Sequence, residues 1–158
     1  MRSKGWLWFF VVLVVLAVLV ASSLLLYNLK RQLKPENLQA ARQRWQEHGP
    51  RDYRLVYTIK KDQKPPDYYA VRVRAGHAES ATINGRQAPS EQLPSLDMNG
   101  LFAVIERHLE EKARPDSPRT FIRAVFDPED GHVRSYIHSP RGGTRLEITV
   151  ESLTPAAP

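Results

Sequence analysis

The five histidines are the residues of this sequence best suited to acid–base or metal chemistry, and their spacing keeps them apart. They are His48, His77, His108, His132 and His138. On a predicted strand, His132 and His138 would share one face with Tyr136, because side chains alternate between the two faces of a sheet. Their separation along the strand is about 20 Å, so one ion cannot bind both. The pattern therefore predicts a solvated, polar sheet face and no metal site.

Acidic residues cluster in one short segment that contains Asp127, Glu129 and Asp130. A calcium-binding loop of the EF-hand type needs a longer series of oxygen ligands and a distal Glu. The Asp127-Pro128 and Asp130-Gly131 pairs are instead typical of tight turns. We therefore predict a turn at this position and no calcium site.

Sequence motifs for the common hydrolytic and phosphate-transfer mechanisms are absent. There is no Gly-x-Ser-x-Gly nucleophile elbow, no phosphate-binding loop and no His-Glu-x-x-His. The chain has no Cys, which excludes disulfides, thiolate zinc sites and a cysteine nucleophile. We therefore assign no catalytic, cofactor-binding or metal-binding residue, expect no cofactor, and predict that the protein is not an enzyme.

Three arginines on two neighbouring predicted strands, Arg54, Arg72 and Arg74, could form a basic stripe. Such a stripe would suit anionic lipid headgroups or an acidic partner. Acidic neighbours such as Glu79 could instead neutralise the arginines in a lattice of ion pairs. The ion-pair lattice is the interpretation that the sequence favours.

A long apolar segment determines where these residues lie relative to a membrane. Residues 6–27 read WLWFFVVLVVLAVLVASSLLLY and contain no charged side chain. A helix of this length is about 33 Å long, enough to cross a hydrocarbon core of about 30 Å. The run exceeds the roughly 7–15 apolar residues of a signal peptide. We therefore predict a basic tail over 1–5 and an uncleaved transmembrane helix over 6–28, with the lipid bilayer as its partner.

The formal net charge of +6 belongs mostly to the segments that flank this span. Residues 1–34 hold five Lys and Arg and no acid, whereas the remaining 124 residues hold 18 Lys and Arg against 17 Asp and Glu. A nearly neutral domain lacks the basic surface of a nucleic-acid-binding protein, so we expect no nucleic-acid partner. Basic residues flank both ends of the span, so the positive-inside rule does not decide its orientation.

The rest of the chain is predicted to comprise a juxtamembrane linker over 29–37, a globular domain over 38–153 and a flexible tail over 154–158. Apolar residues at helical spacing predict helices over 36–48 and 97–112. Alternating apolar residues between turn signals predict strands over 52–60, 69–75, 78–83, 121–126, 132–139 and 145–153, with a brief further strand over 86–88.

This order of helix, three strands, helix, three strands favours an α+β fold. We predict an antiparallel sheet of about six strands with two helices on one face, in an αβββ-αβββ order that suggests an internal repeat. Asp97 is predicted to cap the second helix. Trp45 is predicted to pack the first helix against the sheet rather than to stack on a ligand.

The domain resembles a bacterial family labelled domain of unknown function 6174 over Leu38–Leu153. The family's pattern combines a helical Trp, a Tyr-rich strand, valines before a glycine turn, an Asx-Gly turn, a Leu-Phe helix and an aromatic-Asp-Pro turn. The matching residues are Trp45, Tyr53, Tyr57, Val71, Val73, Gly76, 81–85, Leu101, Phe102, Ile105, 126–128 and Gly131. Many members carry cysteines where this chain has residues 58–60, and Tyr-Pro where it has His132-Val133.

The resemblance implies an exported, lipid- or helix-anchored domain without an assigned activity. It favours a cytoplasmic N-terminus and an extracytoplasmic domain at the plasma (inner) membrane. We therefore expect a non-enzymatic binding or envelope-assembly module with an unidentified envelope partner. The alternative is an unfamiliar hydrolase acting on envelope material, which requires a pocket that gathers Asp127 with His132 or Tyr136. A domain on the cytoplasmic side of the membrane is a third hypothesis.

Overall fold

The structure is a computed structural model that describes residues 8–9, 12–16 and 32–156. Contacts divide the chain into two compact units, Met1–Gln32 and Leu33–Pro158. The residues described between positions 8 and 16 are helical.

The predicted transmembrane helix over 6–28 lies mostly outside the described residues, as do the tail over 1–5 and the linker up to residue 31. Within the described part, no helix has the length and apolar character needed to cross a bilayer.

Two α-helices, one 3₁₀ helix and seven strands account for the regular structure described after residue 32. The bounds are α1 Pro35–His48, β1 Tyr53–Lys61, β2 Asp67–Arg74, β3 His77–Ile83, β4 Arg86–Gln87, the 3₁₀ helix Ser90–Ser95, α2 Met98–Ala113, β5 Thr120–Phe126, β6 Val133–Pro140 and β7 Leu146–Pro155. The α+β class is confirmed.

The strands form one antiparallel sheet in the order β4-β3-β2-β1-β7-β6-β5. The predicted antiparallel sheet is thus confirmed, and the seventh strand is β4, which is two residues long. The sheet consists of two meanders that meet where β1 pairs with β7. The first strand of one meander and the last strand of the other are central, so the αβββ order does not correspond to a structural repeat.

Both α-helices pack against one face of the sheet, here called the inner face. Alternate residues of β1 point towards it, and Tyr53 and Leu55 are at most 2% exposed. Trp45 of α1 contacts Tyr53 edge-on, with ring centroids 5.4 Å apart, which confirms its predicted packing role. Phe102 of α2 stacks on Phe126 of β5 at 6.0 Å. Burial of each large apolar side chain contributes about 1.5–3 kcal/mol.

Asp97 caps α2 as the sequence predicts. Its Oδ1 accepts a hydrogen bond from the Gly100 N–H at 2.8 Å, and the residue is buried. The Tyr53 hydroxyl accepts a second bond, from the Met98 N–H at 3.2 Å. A cap of this kind contributes about 0.5–2 kcal/mol, and the hydroxyl joins the first turn of α2 to β1.

The folded unit extends beyond positions 38 and 153. Leu33 is buried, and its N–H donates to the Ile122 carbonyl of β5 at 2.9 Å. At the other end β7 continues to Pro155, and the Ala156 N–H donates to the Asp52 carbonyl at 2.9 Å.

Candidate functional site

The sheet face that the helices leave uncovered, here called the outer face, brings two arginines together. Arg54 of β1 lies directly opposite Arg72 of β2, and on its other side it lies opposite Thr154 of β7. Both arginines are exposed. Like charges directly opposite each other destabilise a sheet, so stability does not account for this pair.

A cavity of about 510 Å³, here called the basic cavity, opens beside the two arginines. Its lining residues are Asp52, Tyr53, Arg54, Arg72, Val73, Arg74, Glu79, Thr154, Pro155 and Ala156. Both carboxylates in this lining already have partners. Arg74 Nη1 lies 4.0 Å from Glu79 Oε1, and Asp52 Oδ1 accepts a hydrogen bond from the Ala75 N–H at 2.6 Å.

Neither Arg54 nor Arg72 makes an ion pair with any residue that the structure describes. Neutralisation by Glu79, which the sequence favours for all three arginines, therefore extends only to Arg74. The other two arginines correspond to the alternative interpretation, a basic stripe. A guanidinium binds a carboxylate or a phosphate through two parallel hydrogen bonds, so the pair can hold an anionic group.

A second concavity, of about 270 Å³, shares the same two arginines and is here called the hydroxyl groove. It continues from the arginines past Ala70 to Ser80, Thr82 and Gln87. The arginine pair thus lies between two hollows on the outer face, and the hollow on the β3 side is lined by small and uncharged polar side chains.

Tyr68 lies on the outer face of β2, and sequence reasoning did not identify it as a surface feature. It is 57% exposed, whereas the ring of its neighbour Tyr69 stacks on buried Tyr57 at 4.8 Å. The Tyr68 N–H donates to Asn84 Oδ1 at 2.9 Å, and the Tyr68 carbonyl accepts from the Asn84 N–H at 2.8 Å. The alternation of inner and outer residues in β2 was the signal that could have identified it.

Tyr136 and His138 belong to the inner face, so the predicted solvated histidine face is wrong. The pairing of β5 with β6 shifts register between Val125 and Phe126, and this irregularity lets both Val133 and Tyr136 point inwards. Val133 and Tyr136 are each 0% exposed. An extra residue in one strand reverses the alternation on which the prediction depended.

His108 of α2 completes a three-ring cluster with these residues. The Tyr136 hydroxyl and His108 Nδ1 share a hydrogen bond of 2.8 Å, and the His108 and His138 rings stack with centroids 4.1 Å apart. Burial raises the pKa of Tyr136, so the phenol keeps its proton. Burial, followed by the charge of His138, lowers the pKa of His108 to about 4.

The cluster is unsuited to metal binding, because a metal ion lies in the plane of the imidazole that binds it. The planes of His108 and His138 are within 13° of parallel and are stacked, so one ion cannot lie in both. His132 lies outside the cluster, at the turn before β6. The structure therefore does not bring two histidines together as ligands.

The turn between β5 and β6 uses its acidic side chains as the sequence predicts. Asp127 Oδ1 accepts from the Glu129 N–H at 2.9 Å, and this hydrogen bond lowers the pKa of Asp127. Asp130 Oδ1 accepts from the His132 N–H at 2.9 Å and lies 2.6 Å from His132 Nδ1. Ligand atoms of Asp127, Asp130 and His132 all lie within 4.8 Å of one another. The hydrogen bonds of the turn account for this grouping without an ion.

The residues required by the hydrolase hypothesis are not gathered in a cavity beside the turn. Tyr136 is buried against His108. The cavity next to the turn is lined by Pro128 and Glu129 together with residues of α1, and neither Asp127 nor His132 contributes to it.

A family model described as a family of unknown function (DUF6174) matches residues 37–133. The chain belongs to the DUF6174 family. This confirms the resemblance seen in the sequence. No curated protein matches the chain.

The DUF6174 match includes the arginine pair and Tyr68. It covers β1 and β2 with Arg54, Arg72 and Tyr68, and it ends at Val133, the first residue of β6. The three-ring cluster is only partly inside the match, because Tyr136 and His138 follow the last matched residue.

Proposed function

We propose that this protein is a single-pass membrane-anchored binding module, held in the plasma (inner) membrane by residues 6–28 with its folded unit outside the cytoplasm. Its binding surface is the outer face, and its partner carries an anionic group that lies between Arg54 and Arg72. The role is recognition or envelope assembly rather than catalysis.

The observation that carries the proposed binding role is the opposed pair of arginines, which have no ion-pair partner among residues 32–156. Two positive charges in direct register cost stability in the isolated domain. A bound anion removes this repulsion and forms charge-assisted hydrogen bonds, each contributing about 1.5–3 kcal/mol. The basic cavity supplies the space for such a group.

Two further observations support the membrane anchor and the non-catalytic role. Residues 6–27 form an uncharged apolar run of sufficient length for a bilayer. The ionisable residues best placed for chemistry, His108 and His132, are both engaged in hydrogen bonds within the fold.

The binding role is tested with the full chain in nanodiscs of zwitterionic lipid and a panel of soluble polyanions, which includes polyphosphate and polyglutamate. We expect at least one polyanion to bind. Arg72→Gln should weaken that binding about tenfold, which corresponds to a loss of roughly 1.4 kcal/mol of binding free energy. Arg123→Gln is the matched control, because Arg123 lies in the same sheet, on β5, but away from the basic cavity. Absence of binding to every polyanion would contradict the proposal.

The anchor and its orientation are tested by fusing alkaline phosphatase after Lys34. Because this enzyme is active only after export, activity in cells is the expected result. A second fusion that lacks residues 6–28 is the control and should be inactive. An inactive first fusion would indicate that the folded unit faces the cytoplasm.

A further inference from the structure

We propose that the ligand of the outer face is an acidic glycan, a chain of hydroxyl-bearing sugar rings with carboxylate or phosphate groups, lying along β2 from Arg74 to Tyr68. This inference rests on the proposed function, because it names the ligand class of the same arginine pair.

The outer residues of β2 form a continuous line along one strand. Tyr68, Ala70, Arg72 and Arg74 alternate with inward-pointing residues, and β2 pairs with β1 without a register shift. Two residues of strand span about 6.7 Å, so the Tyr68 and Arg72 positions are about 13 Å apart. This length corresponds to an elongated ligand of several units, with an acid at one end and a flat group at the other.

Tyr68 provides the flat surface that a sugar ring requires. Among the described residues 33–156, Tyr68 is the one large hydrophobic side chain that is exposed. The electron-rich face of an aromatic ring attracts the polarised C–H groups on one side of a sugar. A third concavity of about 550 Å³ lies beside it and is lined partly by Lys61 and Lys64, which can meet a further acid on the same chain.

Uncharged hydrogen-bonding groups lie beside the line, where sugar hydroxyls would lie. The hydroxyl groove runs between the arginine pair and Gln87, and it includes Ser80 and Thr82. The side chains of these three residues make no hydrogen bond to any residue that the structure describes. Ala70 is small and leaves the groove open. Donors and acceptors without partners suit a ligand rich in hydroxyl groups.

An acidic peptide fits these features less well. Extended peptides bind by adding a strand to a backbone edge and by inserting side chains into pockets. The line along β2 lies in the interior of the sheet, between β1 and β3, so its backbone groups are already paired. It presents hydroxyl, amide and guanidinium groups together with one ring.

The test measures affinities of the full chain in zwitterionic nanodiscs for matched octamers. The probes are oligogalacturonate, a phosphorylated glucose octamer, neutral maltooctaose, octaglutamate and a thymidine octamer. We expect one of the two acidic glycans to bind at least tenfold more tightly than the neutral glycan, the peptide or the nucleotide. The tighter of the two identifies the acid as a carboxylate or a phosphate.

Variants of Tyr68 distinguish stacking from charge. Tyr68→Ala should weaken binding of the preferred glycan about tenfold, which corresponds to roughly 1.4 kcal/mol, whereas Tyr68→Phe should leave it within about twofold because the ring remains. Arg72→Gln should also weaken binding about tenfold, and Arg123→Gln should not. Tyr68 is exposed, so these variants are expected to fold, and their thermal unfolding midpoints confirm it.

The possible failures separate this inference from the proposed function. If octaglutamate or the thymidine octamer binds as tightly as the glycans, or if Tyr68→Ala has no effect, the glycan is overturned while the anion site stands. If no acidic octamer binds, both proposals are overturned.

Discussion

His108 and Arg72 are basic side chains in contrasting surroundings on the two faces of the sheet. On the inner face, burial and the neighbouring His138 favour the neutral form of His108. On the outer face, Arg72 is exposed and lies directly opposite Arg54. The inner cluster therefore contributes to stability at neutral pH, whereas the outer pair reduces stability and favours an anionic ligand.

Arg72→Gln is expected to stabilise the folded unit while it weakens anion binding. Removal of one of two directly opposed charges should raise the free energy of unfolding by about 0.2–1 kcal/mol. Urea denaturation at low salt measures this gain, which should shrink at about 1 M salt because the repulsion is then screened. Arg123→Gln is the control, since Arg123 lies opposite uncharged Ile137. A loss of stability in Arg72→Gln would show that the arginines are not in repulsive contact.

Acid should destabilise the folded unit through His108. Its pKa is about 4 in the folded state, below the value of about 6.5 expected in the unfolded chain. Between these values the unfolded state binds more protons, so the contribution of His108 is complete above about pH 6.5 and decreases as the pH falls towards 4. Because the ring is only half-buried, we expect a loss on the order of 1–2 kcal/mol.

His108→Gln checks this contribution, because its side-chain oxygen can still accept from the Tyr136 hydroxyl but does not titrate. Urea midpoints measured between pH 4 and 7 should decline less steeply in the variant. His138, whose pKa is also lowered by burial, leaves a residual slope. Parallel curves for the two proteins would contradict the role of His108.

At the scale of elements, periodicity predicted the helices and strands well because each element buries one face. Leu38, Ala41 and Trp45 are all buried at helical spacing in α1. Tyr53, Leu55 and Tyr57 are buried at alternate positions in β1. Both patterns follow directly from the residue types, since burial on one side imposes the period of the backbone.

The pairing register between neighbouring strands was not predictable in the same way, and this register determines which side chains meet at the candidate site. The sequence does not reveal the irregularity between Val125 and Phe126, which turns Tyr136 inwards. A second register shift occurs in the pairing of β2 with β3, between Arg72 and Val73. Whether Glu79 can neutralise Arg72 or only Arg74 depends on that pairing, so the sequence left the basic stripe and the ion-pair lattice as alternatives.

Gly131→Ala should disrupt the contact between the β5–β6 turn and α1. Gly131 has φ of +81°, and an added Cβ would overlap the Ala41 carbonyl oxygen. The left-handed conformation alone costs an L-residue about 1–2 kcal/mol, and the overlap adds to it. Gly142→Ala is the matched control, because Gly142 has φ of +76° with no atom within 4 Å of an added Cβ.

Denaturant unfolding of the two glycine variants separates strain from overlap. We expect Gly142→Ala to lose about 1–2 kcal/mol and Gly131→Ala to lose clearly more. Equal losses would show that the turn moves away from α1 at no cost.

At the scale of the whole folded unit, the arginine pair lies far from the point where the folded unit begins. Leu33 is bonded to Ile122 near the start of β5, the strand at one edge of the sheet. The pairings across β5, β6, β7 and β1 place Ile122, His138, Leu146 and Lys61 opposite one another, so Lys61 is the residue of β1 that is level with Ile122. Arg54 lies seven residues before Lys61 on β1, which is three strands from β5, so the separation is about 25–30 Å.

We propose an acidic glycan rather than a lipid headgroup as the ligand of the outer face, so ligand binding should be insensitive to the charge of the lipid around the anchor. Affinity of the full chain for the preferred soluble polyanion should therefore agree within about twofold between zwitterionic nanodiscs and nanodiscs with one-third anionic lipid. Arg72→Gln should weaken binding equally in both. If anionic lipid instead competes strongly with the polyanion, and Arg72→Gln abolishes that competition, the headgroups themselves are the partner of the outer face.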